Sequence, residues 1–292
     1  MRLDLFFWLC ARESISEAQM STAWIIASGK GGVGKSTITA NLGLAMAKEG
    51  KKVCIVDGDI GLRDLDILLG LENRIAFDML DVAEGTCTLE KALISPLDTP
   101  NLSLLPASQF ARAKALKPDV FRRIIVRLKM LFDVILIDCP AGIERSLRGL
   151  LNQEIDECVI VCTPDDVCIR NAERTFGLLE EKEMPRPKLI VNRLEEALVR
   201  ADEMYSAATV AATLDLELLG EIPDDYFVYR AMLTHDALLN IDCEARSAIL
   251  RIAKRMLGDE NAPALPGYGT QRLPWYRRWF EPTLKEVRRI DR

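Results

Sequence analysis

The sequence predicts an α/β fold, with a doubly wound, mostly parallel sheet and helices on both of its faces. The first reason is that short apolar runs alternate with helix-like stretches along most of the chain, which is the pattern of repeated β-α units. The second is that several of these runs are apolar at every position, as strands are when helices cover both sides. The third is that hydrophobic residues make up 49% of the chain, enough for a large core.

Each predicted element rests on one of two patterns. Compact, mainly apolar runs predict strands at 23–27, 53–56, 102–105, 134–137, 158–162, 189–191 and 216–220. Apolar residues at helical spacing predict helices at 36–48, 119–131, 170–183, 205–214, 225–234 and 242–256. We find no internal repeat and no domain boundary before about residue 258. One domain over residues 22–257 is therefore expected.

The two ends of the chain differ from this domain. Residues 1–21 contain a short apolar run that Asp4 interrupts, with no clear cleavage site after it. We therefore expect an extension from an upstream start site, or a poorly ordered appendage, rather than a signal peptide. Residues 258–273 are rich in Pro and Gly, which is typical of a flexible linker. The linker leads to a distinct tail, residues 274–292.

A glycine-rich segment follows the first predicted strand. Residues 29–36 read GKGGVGKS and fit the pattern G-x-x-x-x-G-K-[ST], with a strand before it and a helix after it. Glycines let the backbone turn tightly, so that successive N–H groups and the positive end of the helix point at one place. Lys35 would reach the β- and γ-phosphates, and the Ser36 hydroxyl would bind Mg²⁺. The pattern therefore predicts the nucleotide site of a P-loop NTPase; a glycine-rich turn without a ligand is the alternative.

Carboxylates follow two further predicted strands. Asp57 and Asp59 come after the second strand, and Asp138 comes after the fourth. In an open α/β sheet the ligand lies at the carboxyl ends of the strands, so these acids should converge on the phosphates. We assign Ser36, Asp57 and Asp138 to a magnesium site. Asp59 would orient the attacking water, and the Gly142 N–H would contact the γ-phosphate. The alternative is that these acids only cap strand-to-loop turns.

Charge and composition argue against several other classes of protein. The formal net charge of −6 argues against a globally basic nucleic-acid binder. Eight cysteines are scattered without a C-x-x-C pair, which is typical of reduced thiols. Two of them, Cys158 and Cys162, lie in an apolar run, and we expect them to be buried. The single histidine, His235, gives poor support for a histidine base. No apolar run approaches the ~18 residues that span a bilayer.

Four segments together resemble the MinD/ParA family of dimerising ATPases. The phosphate loop carries a second lysine, Lys30, directly after its first glycine. The other segments are 59–66 (DIGLRDLD), 105–109 (LPASQ) and 138–144 (DCPAGIE). These three are similar to the MinD group of the family, which helps to place the bacterial division septum. The likeness covers roughly residues 22–257, and it departs at Asp64, where the group usually carries Asn.

The resemblance implies how the site works. It implies an ATP-bound homodimer in which Lys30 reaches the partner's phosphates, so that Lys30, Lys35 and Asp59 are the catalytic residues. Thr37 matches the position near the α-phosphate, and Asn192 and Arg193 match the place, after a strand, where adenine is read. The nucleotide-binding residues are then Gly31, Gly32, Val33, Gly34, Lys35, Ser36, Thr37, Gly142, Asn192 and Arg193. ATP and Mg²⁺ are the implied cofactors.

The tail separates apolar and cationic residues on opposite helical faces. At about 100° per residue, the apolar half holds the predicted membrane contacts Trp275, Trp279, Phe280, Leu284 and Val287. From Arg272 onward there are seven cations and three acids, a balance that suits an anionic phospholipid surface. An amphipathic helix docked on the body or on a protein partner is the alternative. The resemblance disfavours that alternative, because MinD proteins end in a membrane-targeting helix.

These features predict an ATP-dependent membrane-switch ATPase that positions the bacterial division septum, cytoplasmic and peripheral on the inner face of the cell membrane. Dimerisation would pair two weak tails, the second of which binds at high effective concentration. The resemblance implies a MinC-like division inhibitor and a MinE-like activator as partners, and no specific nucleic acid. Alternatives are a flagellar-number ATPase, a ParA-type DNA- or cargo-positioning ATPase, and a nitrogenase-reductase-like electron carrier. The last would need a second cluster ligand beside Cys139.

Overall fold

The computed structural model describes residues 21–61, 63–109, 116–142, 145–234 and 236–259, without the side chains of Arg145 and Ser146. The predictions for the membrane-contacting tail, for most of the linker, for residues 1–20 and for His235 fall outside these residues.

Seven strands form one sheet in the order β3-β2-β4-β1-β5-β6-β7, and neighbouring strands in it are parallel. The strands are β1 (Thr22–Ala27), β2 (Val53–Asp57), β3 (Leu102–Leu105), β4 (Val134–Asp138), β5 (Glu157–Cys162), β6 (Lys188–Leu194) and β7 (Glu217–Pro223). The predicted fold class is confirmed, and each predicted strand is present. The largest differences are at β6 and β7, which run further toward their carboxyl ends than the apolar pattern indicated.

The helices fill the connections between strands. They are α1 (Lys35–Lys48), α2 (Leu65–Leu68), α3 (Met79–Glu84), α4 (Leu89–Ala92), α5 (Pro118–Lys129), α6 (Arg145–Leu150), α7 (Asp166–Glu181), α8 (Glu196–Arg200), α9 (Ala207–Leu214), α10 (Tyr226–Thr234) and α11 (Glu244–Met256), with a 3₁₀ turn at Leu238–Asn240. The short helices α2, α3, α4, α6 and α8 were not predicted, because elements of this length do not show a helical period. Helix α7 begins earlier than predicted, because the Asp165 side chain caps it by accepting the Cys168 N–H at 2.9 Å.

The order of the strands fixes where a ligand can bind. The chain places β2, β3 and β4 on one side of β1 and β5, β6 and β7 on the other, so the order reverses beside β1. Ligands of open α/β sheets bind outside the carboxyl ends of the strands at such a reversal. Helix α1 packs closely on this part of the sheet: a Cβ at Gly43 would lie 2.6 Å from Ile55 Cδ1. The loop between β1 and α1 therefore opens at the ligand-binding edge.

No helix within the described residues is long and apolar enough to cross a membrane.

Candidate nucleotide site

The loop between β1 and α1 presents backbone donors at the carboxyl edge of the sheet. Gly32 and Gly34 have φ angles of 77° and 92°, a left-handed conformation that glycine adopts without strain. Gly34 is the N-cap residue of α1, and no side chain caps the helix or places an acid in its first turn. The N–H groups and the positive end of α1 thus remain available to an anion. Lys30, Gly31 and Gly32 are exposed around this concave turn.

A buried ion pair lies at the base of the loop. Lys35 Nζ is 2.7 Å from Asp138 Oδ1, and both side chains are almost inaccessible to solvent. The second oxygen of Asp138 accepts a hydrogen bond of 2.7 Å from the Ser36 hydroxyl. Thr39 Oγ1 also donates to Asp138 Oδ1, at 3.0 Å. Asp138 therefore links the end of β4 to the first turn of α1, and the structure brings these predicted site residues together.

The neighbouring carboxylate of Asp57 has a hydrogen bond at only one of its two oxygens among the described residues. Its Oδ1 accepts the Asp59 N–H at 3.0 Å, but its buried Oδ2 has no hydrogen-bond partner among the described residues. Burial, followed by the nearby charge of Asp138, raises the pKa of Asp57 to about 7. An unpaired carboxylate oxygen buried beside a second carboxylate favours a nearby cation.

The donor set fits Mg²⁺. The Ser36 hydroxyl and the Asp57 and Asp138 carboxylates supply hard oxygen ligands of the kind that Mg²⁺ prefers. No cluster of three or more His, Cys, Asp or Glu side chains suited to a metal occurs in the described part of the chain. Magnesium usually completes its shell with water and substrate phosphates rather than with an all-protein cage. Ser36, Asp57 and Asp138 could therefore hold Mg²⁺ once a nucleotide supplies phosphate oxygens.

Asn192 supports the phosphate loop from the other side. Its amide nitrogen donates a buried hydrogen bond of 2.8 Å to the Val33 carbonyl. A Cβ at Gly34 would lie 2.5 Å from the same nitrogen, so the loop and β6 are in close contact. Asn192 and Arg193 were predicted to follow a strand, and this is wrong: both lie within β6, which ends at Leu194. Arg193 has a φ of 60° and is exposed, and the β6–β7 pairing shifts register there.

The N–H group of Gly142, predicted to contact the γ-phosphate, has a protein partner in this structure. The Gly142 N–H donates to the Ser28 carbonyl at 2.9 Å, so a contact with a γ-phosphate would require this peptide group to change partner. Its φ of 85° is accessible to glycine. The contact of Gly142 with the γ-phosphate remains a prediction.

A cavity of about 570 Å³ joins the loop to the end of β7. This volume lies in the usual range for small-molecule sites. Its lining includes the predicted residues Lys30, Gly31, Gly32, Val33, Gly34, Lys35, Ser36, Thr37, Asp59, Asn192 and Arg193. Asp57, Asp138 and Gly142 do not line it. The opposite wall, which includes Pro223, Asp224, Asp225 and Val228, was not predicted. The acids directly after β7 could have predicted this wall, because the acids after β2 and β4 predicted the phosphate site by the same reasoning.

The loop lies so close to α7 that a side chain at Gly29 should not fit. A Cβ there would lie 2.3 Å from the backbone carbonyl atoms of Asn171, which cannot move without displacing α7. We expect Gly29→Ala to lower the free energy of unfolding by about 1–3 kcal/mol. Urea unfolding followed by circular dichroism measures this change.

A second glycine-to-alanine substitution, made within α7, distinguishes this clash from a general effect of introducing alanine. Gly177 is an exposed residue inside α7, and a Cβ there would meet nothing within 4 Å. Gly177→Ala should therefore raise the free energy of unfolding by about 0.5–1 kcal/mol. Equal stability of Gly29→Ala and the unmodified protein would contradict the close contact.

The glycine-rich loop, the buried Lys35–Asp138 pair and the parallel sheet define the protein as a P-loop NTPase. The ParA family model, described as NUBPL iron-transfer P-loop NTPase, matches residues 19–257. The septum site-determining protein MinD of Bacillus subtilis is 41% identical over 82% of this chain and 90% of its own length. MinD of Helicobacter pylori is 43% identical over 82% of this chain and 92% of its own length.

Solved structures agree with these relatives. A MinC:MinD cell division protein complex of Aquifex aeolicus matches with a TM-score of 0.76 and 36% identity, covering 87% of this chain and 98% of that one. MinD of Pyrococcus horikoshii, complexed with Mg-ADP, matches with a TM-score of 0.71 and 29% identity, covering 81% of this chain and 96% of that one. The chain belongs to the MinD group of the ParA family of P-loop NTPases. It is an ATPase of the division-site type, and ATP and Mg²⁺ are the cofactors of this class.

Proposed function

We propose that this protein is an ATP-dependent membrane switch, which dimerises with ATP bound and recruits a division inhibitor to the cell membrane. The observation that carries the proposal is the exposed position of Lys30 at the rim of a complete phosphate loop. An exposed cation in that position can meet phosphates presented by a second copy. The Aquifex MinC:MinD complex supports an inhibitor of the MinC kind as a partner, and a MinE-like activator is proposed from the family alone.

Each residue of the site has a separate role in ATP hydrolysis. Lys35 and the N–H groups of the loop bind the β- and γ-phosphates, and Thr37 lies further along α1 toward the α-phosphate. When bound, Mg²⁺ neutralises charge that develops on the phosphates. Asp59 lines the cavity and orients the attacking water, since in-line hydrolysis depends mainly on positioning. Asn192 and Arg193 line the same cavity, where we place the adenine.

The tail converts dimerisation into membrane attachment. Its sequence separates Trp275 and Trp279 from a cationic face, and a single interfacial helix of this kind binds weakly and reversibly. Each Lys or Arg near an anionic surface contributes ~1 kcal/mol. A dimer presents two tails, and the second binds at a raised effective concentration. Hydrolysis that separates the subunits would thus release the protein from the inner face of the cell membrane.

Sedimentation with vesicles tests this proposal. With vesicles that contain anionic phospholipid, the full chain should sediment with a nonhydrolysable ATP analogue and remain in the supernatant with ADP, since only the dimer presents both tails. Deleting residues 274–292 should abolish sedimentation while leaving ATP hydrolysis in solution intact.

Two substitutions in the tail give a matched comparison. Trp279→Glu places a charge on the apolar face and should prevent sedimentation, whereas Glu281→Gln changes a charge on the cationic face and should preserve it. Equal sedimentation with ADP and with the analogue would exclude the switch. A protein that stays monomeric when saturated with the analogue would exclude the dimer.

A further inference from the structure

Two thiols lie side by side at the turn from β5 into α7. Cys162 is the last residue of β5, Cys168 is in the first turn of α7, and both are fully buried. Both contact the backbone of Thr163: Cys162 Sγ donates to the Thr163 carbonyl at 3.1 Å, and the Thr163 N–H donates to Cys168 Sγ at 3.3 Å. The two thiols are therefore held at the backbone of one residue. From these positions a small movement can bring one sulfur to the other.

The two sulfurs differ in chemical character. The neighbouring Cys162 thiol, with hydrogen bonding by Thr163, outweighs burial and lowers the pKa of Cys168 to about 6. The N-terminus of α7, a helix of 16 residues, stabilises the same thiolate. The neighbouring Cys168 thiol, together with burial, raises the pKa of Cys162. On the same strand, burial, followed by the charge of Glu157, raises the pKa of Cys158 to about 12. Cys168 is therefore the nucleophile, and Cys162 is placed to react with it afterwards.

The turn that leads from the pair into α7 is exposed to solvent. Asp165, Asp166 and Val167 are exposed, and Val167 shows 58% of its surface to solvent. The first turn of a helix opens more readily than the sheet beneath it. A small oxidant can therefore reach Cys168 through local opening of this turn, without unfolding of the core.

We propose that Cys162 and Cys168 form an oxidation site that a hydroperoxide converts into an internal disulfide. The Cys168 thiolate attacks the outer peroxide oxygen, the O–O bond breaks, and Cys168 becomes a sulfenic acid as the alkoxide or hydroxide leaves with a proton from water. The Cys162 thiol then attacks the Cys168 sulfur, and water leaves as the S–S bond forms. The two thiols are oxidised, and the hydroperoxide is reduced to one alcohol, or water, and one further water.

The disulfide would fix a turn that lies against the phosphate loop. Burial opposes ionisation of Asp165, but hydrogen bonds from Thr163 and Cys168 and the charge of Lys30 lower its pKa, so the charge of Lys30 acts on this turn. The backbone of Asn171, one helical turn further on, contacts Gly29. Oxidation would therefore act beside the lysine that we assign to the partner's phosphates. The chemistry itself does not depend on that assignment.

Mapping of the oxidised thiols tests the proposal on the full chain. After treatment with hydrogen peroxide and alkylation of the remaining thiols, peptide mass spectrometry should locate a 162–168 disulfide, about 2 Da lighter than the dithiol. Dithiothreitol should reverse the change. Cys168→Ser should abolish the disulfide, and Cys162→Ser should let Cys168 oxidise further, to a form that dithiothreitol does not reverse.

Cys158→Ala is the matched control, because Cys158 is buried on the same strand and does not contact the Thr163 backbone in the described hydrogen bonds. It should form the disulfide as the unmodified protein does, with an unchanged circular dichroism spectrum. Full alkylation of both Cys162 and Cys168 after peroxide treatment would overturn the proposal, and so would a disulfide that joins Cys158 instead. Neither result depends on ATP or vesicles, so the proposed membrane switch is tested separately.

Discussion

Replacing Lys35 with methionine should reduce ATP hydrolysis by about a hundredfold to a thousandfold, the usual cost of removing one donor that stabilises negative charge in a transition state. The Lys35 ammonium is the buried cation at the base of the phosphate loop, 2.7 Å from Asp138 Oδ1. Phosphoryl transfer depends almost entirely on positioning and on charge stabilisation. Methionine keeps much of the side-chain length but supplies no charge. Steady-state release of phosphate measures the loss.

The same substitution should also destabilise the fold, because it leaves Asp138 buried beside Asp57 without its cationic partner. Breaking one side of a buried ion pair costs about 3–5 kcal/mol. The double variant Lys35→Met with Asp138→Asn removes both charges and should recover most of that stability without recovering hydrolysis. Lys91→Met changes an exposed lysine on α4 and should leave both properties unchanged. Hydrolysis within tenfold of the unmodified rate in Lys35→Met would contradict the assignment.

The sequence was sufficient to predict the centre of the site because local rules fix its geometry. The glycine pattern specifies the loop, and the acids at the ends of β2 and β4 must meet α1 because parallel strands share one carboxyl edge. Ser36, Lys35 and Asp138 contact one another for this reason. The buried state predicted for Cys158 and Cys162 is also confirmed, since an apolar run in a central strand leaves no exposed position.

What the sequence could not predict depends on packing between distant segments. The Asn192 amide supports the Val33 carbonyl across 159 positions of chain, and no local pattern specifies this contact. The orientation of the Gly142 peptide toward Ser28 likewise depends on the tertiary contact of two loops. The resemblance indicated that Asn192 and Arg193 matter, but it placed them after a strand. They lie inside β6, where the left-handed Arg193 accommodates the shift in pairing with β7.

Replacing Asp59 with asparagine should separate binding of ATP from its hydrolysis. Asp59 lines the cavity two residues beyond β2, and its N–H is held by Asp57 Oδ1 at 3.0 Å. Asparagine preserves this backbone contact and the shape of the side chain but removes the charge that we propose orients the attacking water. We expect the rate of hydrolysis to fall by about a hundredfold or more, with ATP affinity changed by only a few fold. Single-turnover hydrolysis and equilibrium binding of ATP measure the two effects separately.

Release from vesicles tests whether hydrolysis ends membrane attachment, as the proposed switch requires. If hydrolysis ends membrane attachment, Asp59→Asn should remain on anionic vesicles with ATP, whereas the unmodified protein leaves them as ATP is consumed. Asp64→Asn is the matched control: Asp64 is exposed, lines the same cavity and lies in the same loop, so its change removes an equal charge without removing the group that we propose orients the water. It should release from vesicles at nearly the normal rate. Rapid release of Asp59→Asn would show that another group orients the water, whereas slow release of both variants would point to the total charge of the loop as the cause.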